Sequence, residues 1–231
     1  MSSEPRTIVY HSLFDFGDFF ENQMISDCKI VTEDQTEIPA HRVILANSSK
    51  TFFNYFTADM EESRTGIVKA SFNPNGLLRK VVKYMYDGVI QIDLDNWVDL
   101  YAISDKYMID SLIKKIKPQI PTFLSQSQIY DIIKNIIDSS RYEYYPVLDQ
   151  ILIYIAQNID KFSISELTQN LTVGHFATII KNLSVSDSKK AEMYKEFLGD
   201  YELNEEERLE IIDCFDESNL NDIKKILPQL Q

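Results

Sequence analysis

The residues best suited to metal or nucleophilic chemistry are few and lie far apart in the sequence. The three histidines are His11, His41 and His175, and each is isolated from other clusters of metal-binding residue types. The two cysteines, Cys28 and Cys214, do not form the closely spaced pair that typifies a structural zinc site. The sequence therefore predicts no metal site, and we expect no cofactor.

Sequence motifs that mark catalytic sites are also missing. The chain has no glycine-rich phosphate-binding loop, no nucleophile elbow and no His-x-x-Glu-His motif. Asp93 and Asp95 have the spacing that begins a calcium loop, but the glycine and glutamate that complete such a loop are missing. His41 lies in a Pro-Ala-His turn, where a hydrogen-bonded structural role is favoured over that of a ligand or base. We therefore expect a protein that is not an enzyme.

The predicted secondary structure changes near residue 120, from mixed strands and helices to helices alone. Before it, the pattern predicts strands at Cys28–Thr32, Thr36–Pro39, Ile67–Ser71 and Val89–Ile92, and helices at His41–Ala46, Ser49–Thr57, Asn73–Gly88, Asp95–Tyr107 and Ile109–Gln119. Pro118 and Pro121 flank the first clear break. After it, strand signals vanish and apolar residues recur at helical spacing. We predict an α+β protein with one domain at 1–120 and an all-helical domain at 121–231.

The N-terminal segment has an unusually broad apolar surface if His11–Met24 is helical, as its pattern predicts. Six large apolar residues span roughly 220° of the helix, whereas one core needs a stripe of only about 100° or somewhat more. They are Leu13, Phe14, Phe16, Phe19, Phe20 and Met24. The excess indicates two buried faces, one against its own domain and one against a second chain. The alternative is a helix sunk in a groove of its own domain.

A set of signature residues occurs in a characteristic order and spacing between about residues 8 and 118. They are Asp27, His41, Leu45, Ser49, Phe52 and Phe56, followed by Tyr84-Met85-Tyr86-Asp87-Gly88 and Ala102-Ile103-Ser104-Asp105-Lys106-Tyr107. This set resembles the BTB/POZ domain, whose fold is a small mixed sheet covered by helices. The later series Tyr154-Ile155, Asn158-Ile159, Phe162, Leu167, Leu171 and Phe176-x-x-Ile179-Ile180 resembles the helical BACK domain that often follows it.

The resemblance implies a two-fold dimer, because BTB domains typically dimerise through their first helix. The six apolar residues of His11–Met24 would then lie at the dimer interface. Asp27 and Arg42 match positions that line a charged pocket at the dimer interface of BTB transcription factors. The alternative for this pair is a buried or half-buried ion pair that fixes the geometry of the domain.

The resemblance also implies a contact with a cullin scaffold. In BTB adaptors of cullin-RING ubiquitin ligases, this contact includes a hydrophobic residue, any residue and a glutamate, and Met60-x-Glu62 matches that motif. A flexible thioether can fill an irregular apolar pocket, and a carboxylate can accept charge-assisted hydrogen bonds. Phe56, Asp59 and Tyr86 are expected to border the same surface. The alternative is a solvated acidic loop.

Composition limits the classes of partner. The formal net charge is −13, which repels phosphate backbones and disfavours nucleic-acid binding. The acidic segment Glu196–Asp222 is interpreted as a solvated helix face in preference to a docking site. No signal peptide and no apolar run of the roughly 18 residues needed to cross a bilayer is found, so we expect no membrane association. The expected location is cytoplasmic, nuclear or both.

Two functions remain open from the sequence. The first is a homodimeric adaptor that binds a cullin and presents a protein substrate of unknown identity for ubiquitination. No MATH, kelch or zinc-finger pattern is found in this sequence. If the sequence is the whole protein, the substrate would bind the helical half or be bridged by a third protein. The second is a homo- or heterodimerising scaffold, or a competitive cullin blocker, with no ubiquitin-ligase role.

Overall fold

The computed structural model describes the backbone of residues 8–9, 16–124 and 126–230, and the side chains of residues 16–124 and 129–230. The chain divides into two compact units. The first unit extends through Phe123 and also contains Tyr142–Val147. The second unit contains Leu124–Arg141 and the chain from Leu148 onward.

The strands described in the first unit form two small sheets. They are β1 (Ile8–Val9), β2 (Cys28–Thr32), β3 (Glu37–Ala40), β4 (Ile67–Ala70) and β5 (Gln91–Ile92). In the larger sheet β2 lies in the middle, antiparallel to β3 and parallel to β4, while β1 pairs antiparallel with β5. Alternate residues of β2 (Cys28, Ile30 and Thr32) are buried, so one face of the sheet covers the core. The predicted mixed sheet is confirmed.

Helices cover that sheet. Those of the first unit are α1 (Arg42–Ser48), α2 (Lys50–Thr57), α3 (Glu61–Thr65), α4 (Leu78–Asp87), α5 (Trp97–Lys106), α6 (Asp110–Ile116) and α7 (Ile120–Phe123). On α4, the predicted stripe of Leu78, Val81, Val82 and Met85 is buried. Gly88 follows α4 with φ +68°, the left-handed conformation that ends helices, as predicted. The α+β class is therefore confirmed.

The prediction of a continuous helix over His11–Met24 is wrong in its described part. Residues 16–24 form one 3-10 turn at Gly17–Phe19 followed by further turns. Glycine is costly inside a helix. Farther along, the side chain of Asn22 accepts a hydrogen bond from the Met24 backbone at 3.2 Å, which competes with helical pairing. Residues 11–15, including Leu13 and Phe14, lie outside the described residues.

The segment Tyr142–Val147 is held in the first unit by polar contacts. The hydroxyl of Tyr144 donates to the Asp99 carboxylate at 2.6 Å. The other oxygen of Asp99 accepts from the Asn75 amide at 2.7 Å, and Lys106 forms an ion pair with Glu143 at 3.1 Å. Because Asp99 is buried, these hydrogen bonds offset the cost of removing its carboxylate from water.

The second unit is all-helical in its described residues, as predicted. Its helices are α8 (Gln126–Ser139), α9 (Tyr145–Gln157, which begins in the first unit), α10 (Ile164–Asn170), α11 (Val173–Lys181), α12 (Asp187–Leu198), α13 (Glu205–Ile212) and α14 (Leu220–Ile226). The rings of Phe176 and Phe197 stack at 4.0 Å in its core, and Phe176 meets Tyr194 edge-on at 5.2 Å. Of the helices described, none has both the length and the apolar character needed to cross a membrane.

Candidate protein-interaction surface

The turn between α2 and α3 presents Met60 to solvent. Helix α2 ends at Thr57, and Met60 is the N-cap residue of α3, with an extended backbone at φ −116° and ψ 163°. Its side chain is 37% exposed. Helix α3 stops after five residues at Gly66, which adopts φ +71°. The thioether therefore lies at the start of a short helix whose two ends are both well defined.

Carboxylates surround Met60. Asp59 is fully accessible and forms a 3.5 Å ion pair with Arg64, while Glu61 and Glu62 occupy the first turn of α3. Acidic residues are favourable there because the free N–H groups of a helix start carry partial positive charge. Glu62 is half-buried, so its carboxylate lies at the edge of the surface. The structure thus brings three of the five predicted cullin-contact residues together in this turn.

Arg42 connects α2 to α3. Its guanidinium lies over the ring of Phe56 at 5.5 Å and donates to the carbonyl oxygen of Ser63 at 2.7 Å. Phe56, half-buried and stacked on Phe52, is thereby held beside the α3 turn. The surface formed by Phe56, Asp59, Met60 and Glu62 is called the α2–α3 surface below.

The alternative considered for Asp27 and Arg42, a side-chain ion pair, does not form among the described residues. The Asp27 carboxylate instead accepts from the backbone N–H of Arg42 at 2.8 Å, at the start of α1. The guanidinium donates its Nε–H to the backbone carbonyl of Asp27 at 3.3 Å. The physical reason is that the first N–H groups of a helix compete effectively for a nearby carboxylate.

Tyr86 does not lie on the α2–α3 surface, because its side chain is buried. Its hydroxyl accepts from the His41 backbone N–H at 2.8 Å and lies 2.9 Å from Nδ1 of the same histidine. Burial raises the pKa of Tyr86 above its ordinary value. The expectation that His41 is hydrogen-bonded is confirmed. Tyr86 presents almost no side-chain surface to a partner in this structure.

The cysteines lack the environment of reactive thiols. Burial and the charge of Asp27 raise the pKa of Cys28 to about 12, and burial raises the pKa of Cys214. Both thiols therefore stay protonated at neutral pH, whereas nucleophiles and metal ligands act as thiolates. Within the described ranges, no group of three or more His, Cys, Asp or Glu residues is placed to hold a metal ion.

The N-terminal aromatic residues divide into two groups. Phe16 and Phe19 stack at 6.1 Å and are 44% and 43% exposed, and Met24 is 94% exposed. Phe20, in contrast, is half-buried against Tyr86 at 5.5 Å. Ile25 is also exposed, and the sequence prediction missed it because it lies one residue beyond the periodic stripe. The segment thus retains accessible apolar surface.

The sequence prediction also missed a cleft between α1, α2 and α6. It has a volume of about 600 Å³ and is lined by the end of α1, the start of α2 and α6. Phe53 and Met108, both about half-exposed, contribute its apolar surface, and Lys50 pairs with Asp110 at 2.9 Å beside it. Phe53 falls outside the signature spacing, and Met108 lies in a turn, so neither showed a sequence signal.

Comparison with protein families gives a match to the BTB/POZ domain over residues 16–124. Similar sequences include Kelch-like protein 40b of Danio rerio, 30% identical over 113 residues, and Kelch-like protein 2 of Mus musculus, 42% identical over 73 residues. These alignments cover 47% and 32% of the present chain.

A longer alignment includes the helical unit. Kelch repeat and BTB domain-containing protein 2 of Ectromelia virus (strain Moscow) is 23% identical over 216 residues, 90% of the present chain. The chain spans only part of these relatives: 18% of Kelch-like protein 40b, 12% of Kelch-like protein 2 and 37% of the viral protein.

Proposed function

Because residues 16–124 belong to the BTB/POZ domain family, a class of protein-interaction module, we propose that the chain is a dimeric adaptor for a cullin-RING ubiquitin ligase. In this proposal the α2–α3 surface binds the N-terminal region of a BTB-binding cullin. A protein substrate binds elsewhere, and ubiquitin transfer is catalysed by other subunits.

The observation that carries this proposal is the position of Met60. It is an accessible apolar side chain at the N-cap of α3, with Asp59 before it and Glu62 two residues after it. An exposed methionine has a desolvation gain when an apolar pocket covers it. The flanking carboxylates fix the register of a partner by hydrogen bonding to its basic or polar groups. A purely solvated loop has no need of the methionine.

Neighbouring residues supply rigidity and additional area. Arg42 holds Phe56 beside the turn, which reduces the ordering cost of binding. Phe53, one turn earlier on α2, is exposed and extends the apolar area toward the cleft that contains Met108. Tyr86 takes part only indirectly, through the packing of α4.

The proposed dimer rests on the accessible apolar residues of the N-terminal segment. Phe16, Phe19, Met24 and Ile25 expose large apolar side chains in a single stretch of ten residues. Covering such a stretch by the same stretch of a second copy gives the isologous contact of a two-fold dimer. Asp27 follows this stretch by two residues and bonds to Arg42; both are proposed to border the interface.

The helical unit is proposed to be a BACK-like domain, with the domains divided along the sequence as 1–120 and 121–231, although residues 121–123 and 142–147 pack in the first compact unit. The alignment with the viral protein supports this proposal because it extends through the helical unit. Its proposed role is to set the distance between the cullin and the substrate.

Titration with the purified N-terminal region of a BTB-binding cullin tests the adaptor function. We expect a Kd below about 1 μM, and a rise of at least about tenfold for Met60→Asp and for Glu62→Lys. Leu209→Asp and Glu217→Lys, at exposed positions of the second unit, are the matched controls and should bind as the wild type does. Absence of wild-type binding would leave a dimerising scaffold without a ligase role. Binding to the cullin without substrate ubiquitination in a reconstituted ligase would indicate a competitive blocker.

Light scattering of a Phe16→Asp/Met24→Asp double variant tests the dimer. We expect the wild type to have the mass of a dimer and the variant to have that of a monomer. Phe20 is left unchanged because its ring packs on Tyr86 within the domain. Val185→Asp/Leu209→Asp, at exposed apolar positions of the second unit, is the control. An unchanged mass in the N-terminal variant would contradict the proposed interface.

A further inference from the structure

A cleft of about 280 Å³ opens on the second unit, where the end of α10, the start of α11, the end of α12 and the first turn of α13 meet. Its floor is apolar. Leu171, Val173, Phe197 and Leu198 line it, and each keeps a small exposed fraction of 5–8%. The floor therefore consists of core side chains that are exposed to solvent only at this cleft.

The walls of this cleft are fixed by contacts within the unit. The ring of Phe197 stacks on Phe176 with an angle of 8° between the planes. The hydroxyl of Thr168 on α10 lies 2.9 Å from the Ile164 carbonyl oxygen and 3.3 Å from the Phe197 carbonyl oxygen, which brings α10 and α12 together. Thr172 caps α11 by accepting from the His175 backbone at 3.3 Å. Because these contacts already order the walls, the entropy cost of ordering them on ligand binding would be small.

A carboxylate is held at the rim. Tyr201 donates its hydroxyl to Oε1 of Glu207 at 3.0 Å, and the Asn204 backbone N–H donates to Oε2 at 3.0 Å. Within the described part of the second unit, no Lys or Arg forms an ion pair with Glu207, whereas Glu192 and Asp222 are paired with Lys189 and Lys225. Glu207 is thus an oriented negative charge with no cation opposite it.

The surrounding surface has the same sign. Between Glu196 and Glu210 the sequence contains seven acidic residues and one basic residue, Arg208. This surface attracts cationic groups and repels phosphate backbones. It also repels a second copy of the chain, whose formal net charge is −13.

We propose that this cleft binds a basic peptide segment of a partner protein, with one apolar side chain of the peptide on the floor and a neighbouring Lys or Arg paired with Glu207. The volume supports a single side chain, because sites for drug-sized ligands and cofactors measure roughly 300–1,000 Å³. Charge complementarity selects the basic flanking residues. The cleft does not require cullin binding; only its use for holding a ligase substrate would rest on the proposed function.

Fluorescence anisotropy with the full chain and labelled pentapeptides tests the proposal. The probe is Lys-Lys-Leu-Lys-Lys, and the comparison peptides are Lys-Lys-Gly-Lys-Lys, which lacks the apolar anchor, and Ser-Ser-Leu-Ser-Ser, which lacks the charge. We expect the probe to bind at least about tenfold more tightly than either comparison peptide. Binding should weaken between about 50 mM and 500 mM NaCl, because salt screens exposed charges.

Three variants locate the binding site. Thr168→Trp fills the cleft from an exposed wall position, and Glu207→Gln removes the charge while keeping the acceptor that caps α13. Each should weaken probe binding by about fivefold or more, while Glu192→Gln, the charge-matched control on α12, should change it by less than about twofold. Circular dichroism melts establish that each variant is folded.

Any one of the following results would overturn the proposal. Equal affinity for the Leu and Gly peptides would mean attraction by charge alone. No effect of Thr168→Trp would place binding outside the cleft, and no binding of the probe would leave the cleft without this ligand. A lower oligomer mass for Thr168→Trp would assign the cleft to a second copy of the chain. None of these measurements uses a cullin, so failure here is distinct from failure of the adaptor function.

Discussion

The hydroxyl of Tyr86 forms two contacts with His41: it accepts from the backbone N–H at 2.8 Å and lies 2.9 Å from the ring Nδ1. The phenol oxygen and Nδ1 form a hydrogen bond whose direction depends on the histidine tautomer, and the other ring nitrogen is Nε2. That Nε2 atom is buried and has no hydrogen-bond partner among the described residues. One phenol thus joins α4 to the start of α1 through both the backbone and the ring of His41.

Tyr86→Phe should lower the free energy of unfolding by about 1–3 kcal/mol, because it leaves the half-buried backbone N–H of His41 without an acceptor. Urea denaturation measures this change. Tyr145→Phe removes the same hydroxyl from an exposed side chain and should stay within about 0.5 kcal/mol of the wild type. Cullin affinity should be unchanged in folded Tyr86→Phe. Loss of that affinity at wild-type stability would indicate that Tyr86 contacts the cullin directly.

Asp27→Ala should destabilise the first unit by about 1 kcal/mol, because the Arg42 N–H at the start of α1 loses its carboxylate acceptor. Asp27→Asn should cost less than half as much, since the amide oxygen can accept the same hydrogen bond. Thermal melts of the two variants measure the difference. An equal loss would mean that the negative charge, rather than the hydrogen bond, matters at this position.

The local elements were predictable because each depends on nearby residues. The alternation of Cys28, Ile30 and Thr32 predicts a strand with one buried face, and the structure has it. Ser49 caps α2 by accepting from the Phe52 backbone at 3.1 Å, a sequence-local signal that gave the start of the helix to within one residue. The helical character of the second unit was equally predictable, because it follows from the spacing of apolar residues alone.

Features that depend on contacts distant in sequence were not predictable. The aromatic-rich segment before Met24 has helical periodicity, yet Phe20 packs on Tyr86 and the Phe16 N–H donates to the Tyr86 carbonyl at 3.0 Å. Those tertiary contacts override a weak local preference that Gly17 already reduces. The guanidinium of Arg42 reaches Ser63, 21 residues away, and no pattern in the sequence indicates that contact.

Gly66→Ala should destabilise the first unit more than Gly76→Ala. The left-handed backbone imposes a cost of roughly 1–2 kcal/mol on both variants. Gly66→Ala should cost about 1 kcal/mol or more in addition. Both glycines have positive φ, +71° and +69°. A Cβ at Gly66 would lie 2.9 Å from Arg42 Nη2 and 3.0 Å from the Asp27 carbonyl oxygen. At Gly76, no described atom lies within 4 Å.

Urea denaturation of both glycine variants measures the comparison. Because the Gly66 substitution displaces the guanidinium that holds Phe56 beside α3, cullin affinity should also fall in Gly66→Ala and stay unchanged in Gly76→Ala. Equal stability of the two variants would contradict the close packing of Arg42 against Gly66.

His175 should make the second unit less stable in mild acid. Burial lowers its pKa, although the charges of Asp149 and Glu210 oppose the shift. It also sits in the first turn of α11, where a positive charge is unfavourable. The unfolded chain, with an ordinary pKa of about 6.5, therefore binds the proton more readily than the folded chain. This contribution to stability is present above about pH 6.5 and is lost as the pH falls toward the lower folded-state pKa.

His175→Gln removes this titration and keeps an acceptor for the Thr172 N–H, since glutamine also completes a capping box. Denaturation midpoints measured from about pH 7.5 down to pH 5 should therefore fall more steeply for the wild type than for the variant. All other ionisable groups are the same in both proteins, so their effects cancel in the difference between the two curves. Parallel curves would mean that the folded unit accepts the proton on His175 as readily as the unfolded chain does, which its burial argues against.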